Sequence, residues 1–159
     1  MNFTKLELLD HGRRHAEGVL IGKAGAQLLP TFHIQFKDRP PVIMATPWSD
    51  DREKALTFRA VRAALKTVRP FVENYSFMTE AWVAVQNHRP RETDLMPSER
   101  EDRKECVIIT FGDHDGCTMR AFEIMRGPDA RVTAIVPEKE AGACDRFEGH
   151  AINLMADDE

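Results

Sequence analysis

An α+β domain on a mainly antiparallel sheet is predicted for this 159-residue chain by three features. Two alternating apolar stretches flank Asp38-Arg39-Pro40-Pro41 as the arms of a hairpin do. A capped amphipathic helix follows over 50–69, and strand-like segments between 105 and 136 are separated by short turn sequences. The order α, β, β, α, β and then a meander gives a two-layer arrangement: five to six strands, the long helix across one face and an N-terminal helix nearby. A chain of this length favours one domain, expected over 1–155, with a disordered acidic tail at 156–159. Its 42% hydrophobic and 30% charged residues exclude chains that are disordered, collagen-like or membrane-spanning as a whole.

Over residues 3–17, Leu6, Leu9, Arg13 and Ala16 recur at helical spacing, while Gly12 and Gly18 weaken the segment and should end it. From Thr31 the period becomes two: Phe32, Ile34 and Phe36 share one side, and Thr31, His33, Gln35 and Lys37 the other, as in a half-buried strand. The prolines force a turn, and Val42–Thr46 returns antiparallel. Asp50 with Glu53 has capping-box spacing and Pro70 ends the helix, whose apolar stripe is Phe58, Val61, Ala64, Leu65 and Val68. Residues 75–86, aromatic and β-branched with Glu80 the exception, read as a strand buried on both faces. In the next 18 residues, 87–104, ten side chains are charged, and Ser98 with Glu101 suggests one helical turn. Residues 105–111 and 117–126 flank Gly112–Gly116 as a hairpin, and Arg131–Val136 adds a third antiparallel strand. Phe147–Met155 suits a short strand or a last helical turn.

The net charge of −4 hides an asymmetry: residues 1–70 carry 12 basic and 7 acidic side chains (+5), and residues 71–159 carry 10 and 19 (−9). Such a split lets one copy attract another and argues against a protein coated for nucleic acid. Cys106, Cys117 and Cys144 form no C-x-x-C pair and leave an odd thiol, which suits a reducing compartment and buried core cysteines. No apolar stretch reaches membrane-spanning length, and the N-terminus does not read as a signal peptide, so the expected address is the cytoplasm.

Centring the 112–116 turn on His114 puts Val107 opposite Ala121 and Glu105 opposite Glu123. Two facing carboxylates repel unless a cation or shared proton sits between them, and Glu80 can join them on the Trp82 side of its strand. Such a cluster suits a metal-assisted hydrolase; neutralisation by Arg103, Lys104 or Arg126, or a register shifted by one, gives an architectural role instead. His11 and His15, at i and i+4, are weak candidates for a shared metal, but no third ligand can be named, and no cofactor is expected. The stretch around Gly18–Gly25 does not satisfy the phosphate-loop pattern. Arg52, Arg59, Arg62, Lys66 and Arg69 fall together on one face of the 50–69 helix, a surface for phosphate, an acidic partner or the acidic half of a second copy. Nucleic-acid binding through Arg59, Arg62, Lys66 and Arg69 is a weaker alternative, because no aromatic stacking platform interleaves with them.

Glu80-Ala81-Trp82, then Pro97-Ser98, then Asp102-Arg103-x-Glu105 resembles a segment of small uncharacterised bacterial and phage-type proteins. The resemblance implies that Glu80, Trp82, Arg103 and Glu105 recur as a constellation, with Arg103 a partner for a carboxylate; it brings no activity. The leading expectation is a small cytoplasmic binding or regulatory protein acting through its surface, including Trp82 and the basic helix face. It would associate as a homodimer or with a protein partner, without a membrane.

Overall fold

The computed structural model describes residues 2–84, 91–138 and 154–155. Its elements are α1 (Lys5–Leu20), β1 (Thr31–Phe36), β2 (Val42–Ala45), α2 (Asp51–Val68), β3 (Val72–Val83), β4 (Lys104–Asp113), β5 (Gly116–Arg126) and β6 (Val132–Pro137). Short 3-10 turns occupy Arg69–Phe71 and Pro97–Glu99. The six strands form one antiparallel sheet in the order β2-β1-β3-β4-β5-β6, an α+β fold with the hairpin and meander where the sequence pattern puts them.

Thr4 starts α1 through a reciprocal capping box with Glu7. Neither Gly12 nor Gly18 ends the helix, which runs to Leu20. Gly12 is buried because α1 crosses β4 closely there: a Cβ on it would lie 3.2 Å from the Ile109 Cδ1. At α2 the Asp50 side chain accepts from the Glu53 N–H (2.8 Å), whereas the Glu53 carboxylate turns back to the Ser49 N–H (2.7 Å) and hydroxyl.

The two helices lie on opposite faces, so the layering is helix, sheet, helix rather than two layers. On one face Ala16 and Leu20 of α1 pack on Met78, Val107, Ile109, Phe122, Ile124 and Ile135. On the other, Phe58, Val61 and Leu65 of α2 pack on Phe32, Ile34, Phe36, Tyr75 and Phe77. Phe77 sits 4.5 Å from Phe32 and 5.0 Å from Phe58, centroid to centroid. Ala64, expected in the α2 stripe, is exposed. Coverage from both sides buries all six β1 residues, including Thr31, His33 and Gln35, whose alternation reads as a solvent-facing row.

The β4–β5 hairpin closes one residue tighter than a turn centred on His114. Asp113 pairs with Gly116, leaving a two-residue turn of His114 and Asp115. The Asp113 carboxylate accepts from the Asp115 N–H (2.9 Å), Gly116 supplies a φ of 149°, and a His114 ring nitrogen lies 3.0 Å from the Val72 carbonyl oxygen. The register therefore slips by one: Ala121 faces Ile108, and Glu123 faces Cys106 rather than Glu105.

Both outer strands are short of exposed donors. The Thr46 N–H to Pro30 O bond (2.7 Å) sets the phase of the β1–β2 ladder, so only Ile43 and Ala45 turn backbone groups outward, between Pro41 and Pro47. At β6 the outward positions include Ile135 and Pro137, and the Val132 carbonyl is taken by the Gly22 N–H (2.9 Å). Prolines and short length are common means of keeping a sheet margin from pairing with another chain.

The strand expected over 75–86 begins at Val72 and is described to Val83. Of the C-terminal segment expected over 147–155, only Leu154 and Met155 are described, in a turn; the tail at 156–159 and Cys144 lie outside the described residues.

Candidate functional site

The β3–β4 register places Glu80 opposite Val107 and Trp82 opposite Glu105, all four on the α1 face. Glu105 is gripped by Arg126, which reaches from the end of β5 with Nε at 2.8 Å and a terminal nitrogen at 2.6 Å, a two-point guanidinium–carboxylate contact. The other Arg126 terminal nitrogen donates to the Ala130 carbonyl (2.8 Å). Glu80 accepts the Leu28 N–H at 3.1 Å. Burial pushes the Glu80 carboxyl above its ordinary value, with Glu105 adding to the rise while the Leu28 N–H and Arg126 oppose it. Arg103 does not serve a carboxylate among the described residues. It lies over the Trp82 ring at 4.7 Å and donates to the Ser98 carbonyl at 2.8 Å. Trp82 remains 45% exposed beneath it.

Of the four candidate catalytic residues, the fold thus gathers Glu80, Glu105 and Arg103 at one end of the sheet and sends Glu123 to the other face. There Lys104 pairs with the buried Glu138 at 3.1 Å. Burial, reinforced by Glu138 and Glu123, pushes the Cys106 thiol up to about 12, which keeps it protonated and unfit as a nucleophile. Cys117, expected in the core, is exposed, and its thiol is likewise pushed up. The carboxylates at the sheet end act as ties: Glu80 holds the segment before β1, and Glu105 through Arg126 holds the 127–131 turn.

His11 and His15 do not act together. The His11 ring stacks 5.1 Å from Phe3 and 5.3 Å from His33, while His15 is exposed. Among the described residues no three His, Cys, Asp or Glu side chains are placed to hold a metal ion. The alternating pattern of β1 hid His33, which is only 3% exposed and whose Nε2 has no hydrogen-bond partner among the described residues. Burial, then the nearness of His11, lowers its pKa. Beside it, Gln35 bonds both the N–H and the carbonyl of Phe3 at 2.7 Å, and Asn74 donates to the same carbonyl at 2.9 Å. These amides dock the N-terminal segment on the sheet, and their polar alternation is the signal that could have located them.

The basic face of α2 is present as the helical spacing predicts. Arg52, Arg59 and Lys66 are exposed, and Arg62 and Arg69 are half-buried where the stripe approaches the core side. From Lys54 to Val72 there are five cations and no acid. On α1, by contrast, Arg14 pairs with Asp10 at 2.9 Å, and Arg13 lies within reach of Asp10 and Glu17. Among the described residues Arg52 and Arg59 form no ion pair. Exposed Leu56 adds an apolar side chain to this surface, and the C-terminal end of the helix borders a shallow cleft lined by Leu65, Lys66, Arg69, Leu154 and Met155.

No helix among the described residues is long and apolar enough to cross a membrane. No known protein family, curated protein or solved structure matches the chain.

Proposed function

We propose that this is a small binding or regulatory protein that takes an acidic polypeptide segment on the outward face of α2, with Arg52, Arg59 and Lys66 as the principal contacts. The observation that carries the reading is the run of five cations without an acid along a helix whose opposite side is locked into the core. A helix fixed in this way presents its cations without further ordering of its backbone, which lowers the cost of association. The net charge of −4 and the lack of aromatic side chains interleaved with the stripe favour a polypeptide over nucleic acid. The cytoplasm is the proposed location, and an acidic patch of a second copy satisfies the same chemistry. A hydrolytic role is disfavoured, since Glu105 is engaged by Arg126 and Glu123 lies across the sheet.

Fluorescence anisotropy with labelled hexaglutamate tests the reading. The wild-type chain is expected to bind at ~50 mM salt and to release the peptide as screening shortens the Debye length toward about 3 Å at 1 M. The R52E/R59E/K66E variant should bind at least about tenfold more weakly, with unchanged far-ultraviolet circular dichroism. Equal affinity in the variant, or stronger binding of a single-stranded oligonucleotide than of the peptide, would overturn it.

A further inference from the structure

Leu154 and Met155 are each only 3% exposed and belong to the cluster formed by Phe58, Val61 and Leu65 of α2 with β1 and β3. The Leu154 N–H donates to the buried Tyr75 hydroxyl at 3.1 Å, fixing the backbone as well as the side chains. The two residues line a cleft with Leu65, Lys66 and Arg69, so the chain is anchored beside the C-terminal end of the basic stripe. The next four residues are Ala156, Asp157, Asp158 and Glu159. Four residues extend at most roughly 14 Å. One helical turn, about 5.4 Å, separates Lys66 from Arg62. Three carboxylates are therefore tethered within reach of Arg62, Lys66 and Arg69, and a tether this short gives an effective concentration on the order of millimolar or above.

We infer that the acidic residues Asp157, Asp158 and Glu159 cover the C-terminal part of the α2 cation stripe and act as a built-in competitor for the acidic partner. The competitor role rests on the function proposed for α2, whereas the contact itself does not. An incoming acidic segment displaces the tail, exchanging one set of carboxylates for another, so the surface responds to partners that offer more charge than the tail does. Because Leu154 and Met155 stay seated by apolar contacts, the displaced tail remains tethered at the site and can return.

Zero-length carbodiimide cross-linking of the full chain, followed by peptide mapping, reads the contact without any ligand. The expected result is a Lys66 amide to Asp157, Asp158 or Glu159, abolished by D157N/D158N/E159Q, by about 1 M salt and by K66R, which keeps the charge but removes the reactive amine. The same hexaglutamate probe reads the competition: D157N/D158N/E159Q should bind roughly three- to tenfold more tightly than wild type. Absence of the cross-link overturns the contact, and unchanged affinity overturns the competitor role. If the cross-link forms but neither protein binds the peptide, the contact stands while the proposed function of α2 fails.

Discussion

His33 is a buried imidazole in a neighbourhood that offers it no acid. Across the ladders it faces Ser76 and Ile43; Thr31 and Gln35 flank it on β1, Phe3 and His11 lie against its ring, and none is a carboxylate. Its folded pKa lies below the ordinary value of 6.5 because burial and His11 disfavour the cation. The unfolded chain therefore takes up the proton first as pH falls. The stabilisation is complete above about pH 6.5 and is lost progressively below it, down through the depressed folded value. Urea unfolding at pH 7.5 and pH 5.5 should show lower stability at the acid end, and His33→Gln should flatten that difference. A slope unchanged by the substitution would assign it elsewhere. Glu80 works with the opposite sign: its raised value disfavours the folded state as pH rises through it, and carboxylate titration falls mainly below the histidine range.

Between α1 and β4 the fold depends on a missing side chain. Gly12 lets the helix approach Ile109, and a β-branched side chain at that position must push the helix outward. Gly12→Val should cost about 1–3 kcal/mol by overpacking, partly offset by its helix propensity, and would be measured as a lowered urea midpoint at constant m-value. Its propensity suggested a weak point, because a sequence window reports helix cost and not the distance to a neighbouring sheet. Period and caps made both helices and the strands legible: Thr4, Asp50 and the prolines act locally, where neighbouring residues decide the outcome. Two features depended on longer-range facts. The β4–β5 register was fixed by the Asp113 side chain closing a shorter turn, and that single residue of slip separated Glu105 from Glu123. The polar side of β1 was buried because α1 crosses the sheet on that face, which the spacing of Thr31, His33 and Gln35 does not reveal. Of the candidate residues, the α2 cations were readable because a helix face depends only on spacing, whereas the true partner of Glu105 lies 21 positions away at Arg126.

Across the folded protein, charge and hydrogen-bonding capacity are distributed unequally. The first 70 residues carry +5 and the remainder −9, while neither sheet margin offers a long row of open donors. Association between copies is thus expected to be electrostatic. Light scattering at ~50 mM and ~500 mM salt should give a larger average mass at low salt, and R52E/R59E/K66E should remove the difference. A single mass at both salt concentrations would rule out charge-driven self-association.

The prolines bracketing Ile43 and Ala45 extend this conclusion to what the molecule avoids. Val42 and Ile43 are 41% and 60% exposed, a greasy fringe that in a long open strand would invite templated growth. With only two backbone positions available between Pro41 and Pro47, an arriving strand finds no continuous ladder to copy. Concentrated solutions should consequently form droplets or small clusters that dissolve on dilution, rather than fibres that persist.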